Sequence, residues 1–309
     1  MRAVVADSYG GPEVLELRDE PDPKVGPDSV LVKVRAASIN PVDLYLVRGA
    51  LDAAFPTVFP LIPGWDVAGE VAAVGPAVRH VRVGQPVFGY ARKDFVGTGS
   101  WAELVAMHAR AVAPAPAAAD HVAASCLPLA GLTAYQSLVE VLQVGRGDTV
   151  LGHAASGGVG TMAVQIAAAQ GARVIGTASS RNADYVRSLG ADAVPYGDEM
   201  TAAVRELAPD GVDAVLDLAG ADAMRSSAEL LRTPGRLVSV VDPAVVQELG
   251  GTYVFVRPDV PQLGELARLV DSGHLRAEVQ AVHPLDDVRA AVDAVATRHV
   301  RGKVVLRVE

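Results

Sequence analysis

The sequence predicts an α/β chain in which a doubly wound parallel sheet is combined with a β-rich domain. From residue 149 onward, strand-like and helix-like stretches alternate, the order that builds a parallel sheet with right-handed crossovers. Residues 1–110 instead carry short apolar or alternating runs set apart by Pro and Gly clusters, the texture of a β-rich domain. At 309 residues the chain exceeds the size at which a single hydrophobic core usually stops growing, so two domains are expected.

The runs RAVVA, SVLVKVRAA, VAGEVAAVG, QPVFGYA and AELVAM supply the strands of the first domain. An Ala- and Pro-rich segment at 111–119 precedes the change of texture, which places a boundary near 120 and assigns residues 1–120 to the β-rich domain. Residues 121–256 form the parallel-sheet domain: strand TVLGHA, a glycine turn, an apolar helix, strand RVIGTA, and three further helix–strand repeats ending at RLVSVV. The tail opens with the strand-like TYVFV and continues through two helices to a final strand, GKVVLRV. It is assigned back to the first domain, with the boundary set at 257, so that 257–309 completes that domain.

Composition narrows the function classes. Acidic residues number 36 against 27 basic ones, a formal charge of −9, which argues against nucleic acid or an anionic membrane as partner. Cys126 is the sole cysteine, so there is no internal disulfide and no four-thiolate zinc site, and a reducing, cytoplasmic setting fits best. The opening MRAVVADSYG reads as a strand running into a turn, not as a signal peptide. The uncharged runs 121–139 and 149–172 are long enough to span a bilayer. However, Pro128 and Gly131 interrupt one, and Gly152, Gly157, Gly158 and Gly160 the other, so both are expected as buried segments of a soluble protein.

The densest motif is Ala154-Ala155-Ser156-Gly157-Gly158-Val159-Gly160, set between a strand and an apolar helix. There, glycines permit a tight turn and close backbone approach to a pyrophosphate, and the helix N-terminus presents free N–H groups to the anion. Gly157, Gly158 and Val159 are therefore candidate dinucleotide-binding residues. About twenty residues beyond such a loop, NAD enzymes place an Asp or Glu on the adenosine ribose. Here the stretch reads Thr177-Ala178-Ser179-Ser180-Arg181, with Ala178 where the carboxylate would stand. Loss of the carboxylate removes repulsion of a 2′-phosphate, and hydroxyls with a guanidinium supply donors to it. NADPH is the expected cofactor, with Ser179 and Arg181 at its phosphate; the alternative for Arg181 is a solvated helix-start residue.

At this point the chain resembles the medium-chain dehydrogenase/reductase superfamily over essentially its full length. The residues that carry the resemblance are Gly11-Pro-Glu-Val-Leu15, Ala36-Ala-Ser-Ile-Asn40-Pro-Val-Asp43, Pro63-Gly64-Trp65-Asp66-Val-Ala-Gly69-Glu-Val71, Leu132-Thr133-Ala134-Tyr135, the glycine loop, and Arg301-Gly302-Lys303-Val304-Val305. It implies a GroES-like catalytic domain of discontinuous sequence around a Rossmann-type nucleotide domain, with the active site between them. It also implies a homodimer joined along the nucleotide-domain sheets. By the same resemblance, Asn40, Trp65 and Leu129 stand where zinc enzymes of the superfamily carry their three catalytic ligands, and the cysteine-rich structural-zinc loop is missing. Asn, Trp and Leu do not make a zinc site, so no metal is expected and the chain falls with the zinc-free quinone and enone reductases.

Without a Lewis acid to stabilise an alkoxide, alcohol oxidation is disfavoured, whereas a quinone or an α,β-unsaturated carbonyl accepts hydride if it is held in line and hydrogen-bonded. The resemblance implies that Tyr45 lines the quinone site, that Asn40 lies beside the nicotinamide and that Thr133 contacts the cofactor. Tyr196 would cover the 2′-phosphate, and Val238–Val241 would pass close to the nicotinamide. Tyr45 and Asn40 are the candidate catalytic residues; their bland alternatives are a core-capping tyrosine and a turn before Pro41. Asp43 and Asp66 read as turn or supporting residues, Trp65 as an apolar wall, Cys126 as a small buried side chain, and Lys303 as either a pyrophosphate contact or a surface lysine. Gly84-Gln85-Pro86 and Trp101 depart from the usual family pattern and leave the acceptor pocket's shape open. A biosynthetic enoyl or tailoring reductase and a non-catalytic NADPH-binding redox sensor share these motifs. A short-chain dehydrogenase is disfavoured because none of the four lysines follows a tyrosine by four residues.

Overall fold

In the strand Ser29–Ile39, Val30, Val32 and Val34 point into the core while Lys33 faces outward, the period-two pattern expected of a half-buried strand. A computed structural model, which describes residues 1–308, shows the strand at the centre of a seven-stranded sheet. The sheet runs in the order Val279–Pro284, Lys303–Arg307, Ser29–Ile39, Asp66–Val74, Pro86–Tyr90, Val112–Pro114, with Leu104–His108 also pairing with Ser29–Ile39. Helix Val288–Ala296 buries Val288, Ala291, Val292 and Val295 in the same core, a single stripe at helical spacing.

The register fixes which residues meet at one end of this sheet. Ile39 pairs with Val304, and Ala36 with Ala68, both antiparallel. The exit of strand Ser29–Ile39 therefore lies beside the first residues of strands Lys303–Arg307 and Asp66–Val74. Three segments far apart in sequence converge there.

The second core belongs to a six-stranded parallel sheet ordered Ala191–Val194, Arg173–Thr177, Thr149–Gly152, Ala214–Asp217, Leu237–Ser239, Thr252–Tyr253. Chain order reverses between Thr149–Gly152 and Ala214–Asp217, the switch point at which doubly wound sheets bind ligands. Helix Gly158–Ala169 is buried from Gly160 to Ala167, as a helix covering a parallel sheet requires. The α/β class, with a Rossmann-type sheet plus a β-rich GroES-like domain, is the observed one.

One boundary differs from the sequence-based expectation, while the other, set at 257, lies one residue from the division of the chain. The chain divides into one unit of Met1–Leu129, Pro258–Gly273 and the segment from Ala277 onward, and another of Ala130–Arg257 with His274–Arg276. The first unit thus runs past 120, because helix His121–Ser125 packs on strands Ser29–Ile39 and Asp66–Val74. The strand expected at 252–256 is confined to Thr252–Tyr253 and pairs with Val238 and Ser239 as the sixth strand of the parallel sheet. No helix among the described residues is long and apolar enough to cross a membrane; the two uncharged runs are divided among short helices and a strand.

Candidate active site

In the second unit, the strand Thr149–Gly152 ends in a turn shaped by Ala154, whose φ of 46° lies in the left-handed region, uncommon for a residue with a side chain. Its carbonyl accepts the Gly157 N–H at 2.9 Å, and its own N–H donates to Thr177 Oγ1 at 3.0 Å. Gly160 is pressed on this turn: a Cβ there would overlap the Ala154 carbonyl oxygen and Ala155 Cα. Gly157, by contrast, has only Ala154 O at 3.3 Å near its would-be Cβ, so the loop is open to close approach at that point. The first-turn amides of helix Gly158–Ala169, including Gly158 and Val159, have no intrahelical acceptor and are available to an anion.

At the end of the neighbouring strand Arg173–Thr177, Ala178 is buried and Ser179 Oγ is buried without a hydrogen-bond partner. Arg181 follows on the exposed turn Ser180–Asn182, and Asn182 Nδ2 donates to Ser156 Oγ of the glycine loop at 3.2 Å. Tyr196 lies exposed just beyond strand Ala191–Val194. The glycine loop and the segment Ser179–Arg181 thus sit at the C-terminal ends of adjacent strands. An open loop, unbonded helix amides and an orphaned hydroxyl fit a dinucleotide phosphate chain. Thr133 is buried within helix Pro128–Tyr135, and Val241 is half exposed in the loop after Leu237–Ser239.

A buried polar chain crosses the same strand ends. His153 Nδ1 lies 2.8 Å from Asp217 Oδ1, and Ser239 Oγ donates to Asp217 Oδ2 at 2.7 Å. Asp217 Oδ1 also accepts the N–H groups of Ala219 and Gly220, and Ser239 Oγ accepts those of Val241 and Asp242. Burial opposes ionisation of Asp217, yet the hydrogen bonds from His153, Gly220, Ala219 and Ser239 hold its carboxyl below the ordinary range. Ser227 Oγ, 2.8 Å from His153 Nε2, completes a Ser–His–Asp sequence. All three side chains are fully buried and Ser227 Oγ also donates to Ala223 O, so they brace loops and attack nothing. Sequence reasoning missed this chain; its signal was a His and an Asp closing otherwise apolar strands.

In the first unit, Asn40 caps helix Pro41–Val47 in a reciprocal capping box with Asp43, whose Oδ2 accepts the Asn40 backbone N–H at 2.8 Å. The Asn40 amide nitrogen donates to Asp66 Oδ2 at 2.8 Å, and Lys303 Nζ donates to the Asn40 amide oxygen. Asp66 further accepts from Ser38 Oγ at 2.7 Å and from the Leu129 backbone N–H at 2.7 Å, while Lys303 lies 3.5 Å from Asp66 Oδ2. Trp65 is buried and packs edge-on against Phe55 and Tyr90. Cys126 is buried, its thiol pushed up to about 12 by burial, which leaves it inert.

Lys303 corrects the sequence reading. It is not a surface lysine: it is 4% exposed and paired at the sheet end. Tyr45, on the helix that Asn40 caps, does not join the buried cluster: it is 36% exposed and its hydroxyl accepts from Arg298 Nη2 at 3.1 Å.

A doubly wound sheet with a glycine-loop cradle, alongside a β-rich unit with a polar cluster, defines a nicotinamide-dinucleotide-binding oxidoreductase. Known proteins identify the family. The family model for the alcohol dehydrogenase GroES-like domain matches residues 26–117, and one described as zinc-binding dehydrogenase matches residues 189–306. A quinone oxidoreductase of Pseudomonas aeruginosa is 34% identical, with 97% of each chain covered. The NADPH-dependent alkenal/one oxidoreductase of Arabidopsis thaliana chloroplasts is 34% identical over 99% of this chain and 79% of its own. Among solved structures, a mycobacterial protein complexed with NADPH superposes with a TM-score of 0.86 at 31% identity, covering 99% of both chains. The chain belongs to the medium-chain dehydrogenase/reductase superfamily and is quinone oxidoreductase-like.

The Asp43 carboxyl is completely buried and its Oδ1 has no partner. Burial pushes it up to about 7 from its ordinary 3.8, against the Asn40 backbone N–H and with help from the Asp66 charge, Lys303 offsetting only part. A folded-state value raised above the unfolded one contributes stability that is complete below the unfolded value and is lost as pH rises through the folded one. The loss attributable to Asp43 between pH 4 and pH 8 is on the order of 4 kcal/mol. Asp43→Asn, which cannot ionise, should therefore gain on the parent protein as pH rises across that window, measured by urea unfolding followed through Trp65 and Trp101 fluorescence. A pH-independent difference between the two proteins would show that Asp43 is ionised throughout.

Proposed function

We propose that the chain is a zinc-independent, NADPH-dependent reductase that delivers hydride to a quinone or an α,β-unsaturated carbonyl. The observation that carries this reading is the donor set around Asn40. By the family resemblance Asn40, Trp65 and Leu129 stand where the zinc enzymes of the superfamily carry their ligands, and none offers a thiolate, imidazole or carboxylate. Leu129 turns its backbone N–H to Asp66, and its side chain is a hydrocarbon. Asp66 has both oxygens engaged by Ser38, Asn40 and Leu129, and no three His, Cys, Asp or Glu side chains cluster as a metal site among the described residues. An acceptor already activated by conjugation needs no metal; it needs a fixed hydrogen-bond donor at its oxygen and exclusion of competing geometry.

NADPH over NADH is favoured by the end of strand Arg173–Thr177, where the methyl of Ala178 replaces a ribose-binding carboxylate. Ser179, whose buried hydroxyl lacks a partner, and Arg181 supply donors for the 2′-phosphate, with Tyr196 at its side. Gly157, Gly158 and Val159 would hold the pyrophosphate, and Thr133, Asn40 and the backbone at Val241 the nicotinamide half. Bound there, the reduced nicotinamide supplies the hydride. Ser239 and Asp217 fix the loop that carries Val241. Tyr45, its oxygen turned to Arg298, keeps its own O–H to donate to the acceptor oxygen, while water supplies the final proton. Relatives named quinone oxidoreductase and alkenal/one oxidoreductase support the acceptor class. A cytoplasmic homodimer completes the proposal: strand Thr252–Tyr253 has a pairing partner on one side only among the described residues, so a second copy can extend the sheet there.

NADPH oxidation against a panel of quinones, enals and enones tests the activity; no turnover with any of them would contradict it. Fluorescence titration should find NADPH bound at least ~10-fold more tightly than NADH, as loss of one or two charge-assisted contacts implies. Arg181→Ala should narrow that gap, and an unchanged preference would remove Arg181 from the phosphate site. Tyr45→Phe should lower turnover roughly 10- to 1000-fold, the span for one such donor, with little change in NADPH affinity. Unchanged rates across several acceptors would reduce Tyr45 to packing.

A further inference from the structure

Strand Pro86–Tyr90 runs antiparallel to Asp66–Val74, with Tyr90 opposite Asp66, and the Ala91 N–H donates to the Trp65 carbonyl at 2.6 Å. That register gathers three rings. Trp65 lies edge-on to Tyr90 with 5.9 Å between centroids, and edge-on to Phe55 at 5.8 Å, spacings at which aromatic pairs attract. Trp65 and Tyr90 are buried, while Phe55 is half-buried at the rim.

Arg92, just past the end of the strand, sets its guanidinium carbon 5.8 Å from the centre of the Phe55 ring and 5.9 Å from that of Tyr90. Such contacts hold a cation in place through the ring quadrupole without cancelling its charge. Next in sequence, Lys93 Nζ donates to the Thr98 carbonyl at 3.1 Å and to Thr98 Oγ1, which ties off the loop that follows Arg92. The Tyr90 hydroxyl is buried with no hydrogen-bond partner among the described residues. Burial raises its phenol well above the ordinary range, and of the charges acting on it that of Arg92 outweighs Asp66 and Asp43. A buried donor left without an acceptor is costly unless something brought to it supplies one.

The formal charge of −9 disfavours an anionic acceptor at long range, but that field is screened beyond about 8 Å at physiological salt. Groups in contact therefore decide. A guanidinium held on the edge of a ring cluster matches a planar conjugated molecule that carries a carboxylate, because the rings take its face and the planar fork its charge.

We propose that Arg92, set on the rings of Phe55 and Tyr90, is a specificity-determining residue that selects acceptors bearing a carboxylate or similar anion on the conjugated system, remote from the carbonyl being reduced. The Tyr90 hydroxyl is the second donor to that anion. The inference rests on the reductase reading and adds the charge class of its acceptor.

The test compares kcat/KM for benzylideneacetone with that for its para-carboxylate and para-trimethylammonium derivatives, using NADPH. The parent protein should favour the carboxylate over the neutral enone at least ~10-fold, as one hydrogen bond to a charged group implies, and should use the cationic derivative least. Arg92→Met should reduce the carboxylate-to-neutral ratio roughly 10- to 100-fold, Arg92→Lys should restore part of it, and Tyr90→Phe should lower it by a smaller factor. Because it is a ratio, a general loss of turnover or of folded protein cancels. The order of the three acceptors on the parent protein tests the idea even if Arg92→Met fails to fold. Equal use of the three, or a ratio unchanged by Arg92→Met, would overturn the proposal. Should the parent protein reduce none of them, the reductase reading fails and the anion site is read by calorimetry on protein saturated with NADPH. Naphthoate should then bind at least ~10-fold more tightly than naphthalenemethanol, a difference that Arg92→Met removes; equal affinities would overturn the anion site itself.

Discussion

A lysine ammonium and an aspartate carboxylate withdrawn from water are tolerable only if each finds full compensation. At the end of the seven-stranded sheet, that compensation comes from four separate stretches of chain. Ser38 and Asn40 leave one strand, Asp66 opens the next, Lys303 opens a third, and Leu129 lends a backbone N–H from the segment that ends the first unit. The sheet register brings them together, and a slip of one residue in any of these strands would turn its polar group to the other face. Removing one member of such a cluster leaves an uncompensated buried charge, which typically costs ~3–5 kcal/mol. That cost ties the site to the fold: Asn40 cannot be oriented unless the surrounding strands are in register.

The nucleotide unit solves an equivalent problem with backbone groups. Loops at the C-terminal ends of parallel strands leave N–H groups unpaired, and here the carboxylate of Asp217 and the hydroxyl of Ser239 gather four of them, from Ala219, Gly220, Val241 and Asp242. His153 ties the same carboxylate to the residue preceding the glycine turn. The glycine loop and the loop carrying Val241, on opposite sides of the switch point, are thereby fixed by one buried chain. Loops braced in this way are ordered before any ligand arrives, which is how preorganisation raises affinity.

Much of this was legible in the sequence, and what was not has identifiable causes. Alternating valines in SVLVKV and the glycine-rich turn between TVLGHA and an apolar helix are local patterns, and both elements formed where they were expected. Asn40 and the residues around Ser179 stood out because a residue type was missing where chemistry would ordinarily require it. Lys303 was misread because a charged residue opening a strand is usually solvated, and its burial depends on a pairing between Ile39 and Val304 that no local signal encodes. The contact of Tyr45 with Arg298 spans the length of the chain and was equally invisible. Helix His121–Ser125 has the composition of the second domain and the packing partners of the first, so composition set that boundary too early.

At the end of the seven-stranded sheet the Asn40 amide is held between the Lys303 ammonium and the Asp66 carboxylate, and the proposed reductase chemistry asks for no metal there. The most direct test combines elemental analysis of the purified protein with its reductase rate before and after exhaustive dialysis against a strong chelator, using NADPH and a quinone. The account predicts zinc far below one equivalent per chain and a rate unchanged by the chelator or by added zinc. One zinc per chain, with activity lost on chelation and restored by the metal, would contradict it.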